Sequence, residues 1–149
     1  MNATMTQQAL ASAPAPAVAG AIGAVSGAPR TLLRLEGAVA LLGATLAYFA
    51  LGGRWAMFAL LFLLPDLSML GYFAGRRVGA AAYNAAHSYL GPAMLAVLGA
   101  ASGAHDLLWV ACIWAGHVGF DRLLGYGLKY GTSFGDTHLG RREGHKVLG

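Results

Sequence analysis

Four apolar runs, at residues 32–51, 55–74, 80–100 and 106–128, constrain this chain more than any other feature of its sequence. Each is near the roughly 20 residues a helix needs to cross the hydrocarbon core of a bilayer. Each is also too long and too evenly apolar for a strand of a membrane barrel, which alternates over about 10 residues. The joints between them are short: Gly52-Gly53-Arg54, Gly75 to Gly79, and Ala101 to His105. Short joints connect antiparallel neighbours, so the sequence predicts an all-α, transmembrane four-helix up-down bundle over residues 31–130.

Composition supports this and closes the other routes. Only 11% of the residues are charged and 57% are hydrophobic, whereas a soluble domain carries about 25% charged residues. The apolar content excludes a disordered chain, and a single cysteine, Cys112, excludes a disulfide scaffold. Residues 1–30 are Ala/Pro-rich with no charge before Arg30. They lack the basic start of a secretory leader and read as a disordered N-terminal tail. Residues 131–149 read as a cytoplasmic C-terminal tail. Its Asp136 and His138 are expected to be solvated, a lid folded back on the bundle being the alternative.

Arg30, Arg34, Arg76, Arg77, Lys129, Arg141, Arg142 and Lys146 fall on one side of such a bundle, and the short joints opposite supply only Arg54. The positive-inside rule then places both termini in the cytoplasm, as in a multi-pass protein of a bacterial cytoplasmic membrane. Topology and anionic lipid headgroups account for the net charge of +4 without a nucleic-acid partner. Gly71, Gly75 and Gly79 are spaced by four, which suits close helix approach. That approach is either internal packing or a homodimer face.

Glu36, Asp66, His87, His117, Asp121 and Arg122 lie within the predicted spans. A charge at a helix centre costs about 2.5–3.5 kcal/mol on insertion scales, so each is a candidate functional residue. Counted from the cytoplasmic ends at about 1.5 Å per residue, Asp66, His87 and Asp121 share a depth near 11–12 Å. His117 is one turn deeper, Glu36 somewhat shallower. His117 and Asp121 are four apart and share a helix face. Pro65 removes a backbone hydrogen bond next to Asp66, which predicts a kink beside the layer.

Imidazoles and carboxylates converging from separate helices suit zinc, manganese or iron. The expected site is a divalent metal held by Asp66, His87, His117 and Asp121. Glu36 is expected as a neighbouring partner or general base, and Asn84, with Tyr83, as a hydrogen-bonding group for a substrate oxygen. A metal there lowers the pKa of a water to about 7, which favours hydrolysis of a membrane-soluble substrate. One alternative is a metal-free network with Asp121 paired to Arg122 or Arg34 and the histidines bonded across helices. Another is haem held axially by His87 and His117.

Two resemblances accompany these residues. Arg34-Leu35-Glu36-Gly37, Pro65-Asp66-Leu67-Ser68-Met69, Tyr83-Asn84 with His87-Ser88-Tyr89, and His117 with Gly119 and Asp121-Arg122 resemble a small bacterial membrane-protein family of unknown function. Gly125-Tyr126-Gly127-Leu128-Lys129-Tyr130 and Thr137-His138-Leu139 extend the likeness over residues 31–142. It implies an integral membrane protein and no particular activity. Pro65-Asp66 and Ala86-His87-Ser88 are also similar to motifs of bacterial membrane-bound metal-dependent hydrolases. In those motifs a second acid stands where this chain has Ser68, and a threonine where it has Ala86.

Overall fold

The computed structural model describes residues 23–141, and the expectations for residues 1–22 and 142–149 lie outside that range. The first helix, α1 (Gly27–Ala50), starts five residues earlier than its apolar run. Pro29 is no obstacle, because in a first helical turn its missing N–H has no partner to lose. A turn through Gly52, at φ +80°, leads into α2 (Trp55–Phe62), followed by a 3₁₀ helix over Leu64–Ala74. Gly75, at φ +108°, reverses the chain into α3 (Arg76–Ala86). Then come α4 (Leu90–Ser102) and α5 (His105–Leu124). A small antiparallel hairpin, β1 (Asp136–Thr137) and β2 (Gly140–Arg141), ends the described chain.

The described chain is mostly helical, and three segments are long and apolar enough to cross a membrane: Gly27–Ala50, Trp55–Ala74 and His105–Leu124. Their outer faces are apolar. On α1, Leu32, Leu35, Val39, Leu42 and Leu46 follow one another at spacings of three and four and are all exposed. A soluble helix turns such a stripe inward. Here the inner position is Gly37, and a Cβ on it would meet the carbonyl of Gly119 on α5 at 2.8 Å. The two glycines let the helices touch backbone to backbone, and α5 is the most enclosed of the spans.

The second span is not the kinked α-helix that Pro65 predicts. The chain tightens there to 3₁₀ geometry for 11 residues, which at about 2.0 Å rise covers about 22 Å instead of the roughly 16 Å of an α-helix. With three residues per turn, Asp66, Met69 and Tyr72 stack in one row. Gly71 and Gly79 are used within the chain: a Cβ on Gly71 would meet Ala82 at 2.9 Å, and Gly79 lies under the Tyr72 ring.

The third run, expected to be continuous over 80–100, is two helices with a break at His87-Ser88-Tyr89. Pro92 explains the restart, because it fits the first turn of α4 but could not sit inside one long helix. Two of the carbonyls at the break accept from side chains of α5. Trp114 Nε1 donates to Ala86 O at 2.6 Å and Arg122 Nη2 donates to His87 O at 2.9 Å.

The fourth run also ends early. Gly125, at φ +88°, takes the left-handed position beyond α5, with Gly125 N donating to Arg122 O and Tyr126 N to Asp121 O. This pair of bonds is a Schellman stop. The following segment is not a solvated tail. Asn84 holds Lys129 through both of its backbone polar groups, Lys129 pairs with Thr137, and Leu139 is fully buried. Arg30 lies beside Gly140, Arg77 beside Gly131, and Arg34 Nε donates to Leu123 O, so these basic residues gather at one end of the molecule.

Candidate functional site

Asp66 stands at the start of the 3₁₀ helix, His87 caps α3, and His117 sits mid-way along α5. Their polar atoms converge on one point. His87 Nε2 is 3.3 Å from Asp66 Oδ1, His117 Nε2 is 3.6 Å from the same oxygen, and the two Nε2 atoms are 3.2 Å apart. Both imidazoles are buried, while the Asp66 side chain is 41% exposed and gives the triangle an open side.

Both rings are fixed before any ligand arrives. His87 stacks on Tyr83 with ring centres 3.7 Å apart, and His117 meets Phe62 edge-on. His87 Nδ1 lies 2.9 Å from the carbonyl of Tyr83. A carbonyl can only accept, so Nδ1 carries the proton, and in the neutral ring Nε2 is left with a lone pair facing the triangle. His117 Nδ1 is buried without a hydrogen-bond partner among the described residues. The centre of the triangle therefore gathers more acceptors than protons.

Asp121, expected as a further metal ligand, borders the triangle and is not one of the three residues whose ligand atoms converge. Its Oδ2 is 3.5 Å from His87 Nε2 and accepts from the Tyr83 hydroxyl at 3.0 Å. It is paired with neither Arg122 nor Arg34, whose guanidinium groups donate to the carbonyls of His87, Tyr126 and Leu123. The arginine pairs of a metal-free network are thus not formed, whereas its hydrogen bonding between histidines of separate helices is, with His117 Nε2 3.2 Å from His87 Nε2. The two imidazole nitrogens also sit too close for axial haem ligands, which on opposite sides of one metal at about 2.0 Å bonds would be about 4 Å apart.

Two residues expected at the site lie elsewhere. Glu36 is exposed on α1. The neighbouring Gly37 faces α5, and one residue along a helix turns the side chain by about 100°. Asn84 turns its carboxamide to the chain itself, its Nδ2 donating to Lys129 O at 2.8 Å and its Oδ1 accepting from Lys129 N at 2.6 Å.

A cavity of about 520 Å³ adjoins the triangle, lined by Asp66, Tyr83, Asp121, Tyr126 and Lys129 together with Met69, Phe120, Leu124 and Phe134. That volume is in the range of small-molecule sites. Lys129 is the member that sequence reasoning missed, because a basic residue just after a span reads as a topology signal. Burial lowers its ammonium pKa from the ordinary value, with the Asp121 and Asp66 charges opposing the shift. Below the cavity, His138 Nδ1 accepts from Leu128 N at 2.8 Å. Burial, and then the Arg122 charge, hold this imidazole below its ordinary pKa.

A family model described as Domain of unknown function (DUF4260) matches residues 30–142. No curated protein and no solved structure matches the chain.

Proposed function

The chain belongs to the family Domain of unknown function (DUF4260), and we propose that it is a membrane-embedded, zinc-dependent hydrolase acting on a membrane-soluble ester. The observation that carries the metal is the triangle of edges 3.2, 3.3 and 3.6 Å. Tetrahedral zinc with bonds of about 2.0–2.2 Å has ligand–ligand edges of about 3.3–3.6 Å. Adjacent ligands of an octahedral ion at the same bond lengths are only about 2.8–3.1 Å apart, so the two longer edges fit zinc, while the 3.2 Å edge lies between the two ranges.

Two histidines and one carboxylate leave a fourth position, which is the pattern of catalytic zinc. Asp66, His87 and His117 would hold the ion. Zinc held there would lower the pKa of a water to about 7. Tyr83 fixes the tautomer of His87 through its carbonyl and orients Asp121 through its hydroxyl. Asp121 is thereby the acid–base group beside the triangle. The gathering of Arg30, Arg34, Arg77 and Lys129 at one end supports a multi-pass bundle with both termini on the cytoplasmic side. The site then lies near the inner headgroups.

The test is elemental analysis of the purified full chain in detergent, beside Asp66→Ala and His117→Ala. The expected result is about one zinc per chain in the wild type and loss in both variants, which keep the wild-type circular dichroism. Wild-type protein that stays metal-free after incubation with zinc would overturn the proposal.

A further inference from the structure

We propose that Lys129 is the anion-recognition residue of this site and that the ester it selects is a phosphate ester. The inference rests on the zinc reading and adds the substrate class.

Lys129 is 7% exposed and lines the same cavity as Asp66 and Asp121. Its backbone is pinned on both sides by Asn84, so the side chain is delivered to a fixed place. The ammonium is held by ring faces: Nζ lies 3.2 Å from the centre of Phe134, 4.4 Å from Tyr83 and 5.2 Å from Tyr72. Cation–π contacts stabilise the charge without consuming N–H donors. N–H donors not turned toward the rings remain available to oxygen acceptors. Among the described residues no ion pair or hydrogen bond engages the ammonium, and the side chain lines the open cavity.

Charge balance gives the ligand its sign. Asp66, Asp121 and Lys129 together leave the cavity one negative charge, which zinc converts to one positive charge. Two cations on one cavity suit a centre carrying more than one anionic oxygen, which a phosphate ester has and a carboxylic ester lacks. Positioned cations of this kind are how phosphoryl groups are held during transfer. In the hydrolysis, a water oxygen bonds to phosphorus as the bond from phosphorus to the ester oxygen breaks. The water's proton ends on that leaving oxygen, giving an alcohol and phosphate.

The test uses the zinc-loaded full chain in detergent, with glycerol phosphate and dihexanoyl phosphatidic acid as probes of calorimetric binding. Zinc is measured in the same samples. Lys129→Met keeps the apolar stem among the rings, and Lys129→Arg restores the charge. The expected result is that Lys129→Met retains zinc and binds the probes on the order of tenfold to a hundredfold more weakly, with Lys129→Arg recovering part of the loss. Tighter binding of the acylated probe would assign a lipid phosphate, and equal binding a water-soluble one. Unchanged affinity in Lys129→Met, or zinc-loaded wild type that binds neither probe, would overturn the anion site and leave the zinc reading standing. Wild type without zinc would overturn both.

Discussion

Replacing Arg122 tests whether the break in the third helix and the metal triangle are one construction. Arg122 is 9% exposed, and its guanidinium donates to His87 O at 2.9 Å in a buried bond and to Tyr126 O at 2.8 Å in a half-buried one. Arg122→Met keeps the stem's volume and leaves both carbonyls unpaired. A buried carbonyl stripped of a charged donor costs about 2–3 kcal/mol and a half-buried one about 1, so the variant should lose about 3–4 kcal/mol. Two ordinary hydrogen bonds between membrane helices would account for only about 1.2 kcal/mol, at about 0.6 each. Arg122→Lys reaches one carbonyl at a time and should fall between the variant and the wild type. The assay is reversible unfolding by SDS in mixed micelles, followed by the fluorescence of Trp55, Trp109 and Trp114. Because the His87 backbone is anchored by this bond, zinc affinity should also drop by about tenfold or more. A loss below about 1.2 kcal/mol with unchanged zinc affinity would refute the reasoning.

Three further outcomes follow from the same geometry. His138 accepts from Leu128 N, and its imidazole is held below its ordinary pKa. Its contribution is therefore complete above about pH 6.5 and is lost as the pH falls through the folded-state value. The protection factor at Leu128, the exchange rate relative to the intrinsic rate at each pH, should fall as the pH drops below about 6.5, and His138→Asn, which accepts without titrating, should abolish that fall. Tyr83→Phe removes the bond to Asp121 but keeps the ring against His87 and the carbonyl on Nδ1. It should retain zinc while hydrolysis slows about tenfold, and elemental analysis beside rate measurements checks this. In Gly119→Ala the new Cβ would lie 2.6 Å from Leu41 N and 2.7 Å from Gly37 O, both backbone atoms. Helices α1 and α5 must part, at about 1–3 kcal/mol in the same unfolding assay, while Gly43→Ala, which meets nothing within 4 Å, should change little.

The parts of this molecule that sequence made legible are those where a physical cost singles out a residue. Asp66, His87 and His117 stand out because ionisable groups are expensive in apolar helices, and counting rise per residue puts Asp66 and His87 at one depth with Asp121, and His117 one turn deeper. The resemblance to an uncharacterised membrane family, read from short motifs over residues 31–142, agrees with the family match over residues 30–142. Glu36 carries the same cost signal, yet depth alone does not give the angle around the helix axis, and Gly37 takes the inward direction. Asn84 was visible as a polar residue on the right face. Its partner, the Lys129 backbone, lies 45 residues away and has no local signature. The folded C-terminal segment was hidden for the same reason, since Asn84, Thr137 and His138 hold it by long-range bonds that no periodicity reports. Pro65 marked one irregular stretch, although a kink and a 3₁₀ helix share that cue, and the break in the run over 80–100 was not read from Pro92.

The irregular stretches are also what make the triangle possible. His87 caps α3, so its N–H still bonds to Tyr83 O at 2.8 Å while its own carbonyl is released to Arg122. With Nδ1 directed at that same Tyr83 carbonyl, backbone and ring are fixed together. Within a membrane, broken helical backbone persists only where other groups satisfy it. Trp114 and Arg122 do so here, and both lie on α5, the helix that carries His117 and Asp121. One helix therefore supplies one imidazole of the triangle, the neighbouring carboxylate and the donors that hold the other imidazole in place. Loss of metal on altering α5 or the α3 terminus consequently mixes ligand loss with relaxation of the fold. Asp66 is different, because its side chain is 41% exposed and its carboxylate contacts within hydrogen-bond or ion-pair range are the two imidazoles. Asp66→Ala removes a ligand and little else, so a variant with the stability of the wild type and no zinc isolates coordination from folding.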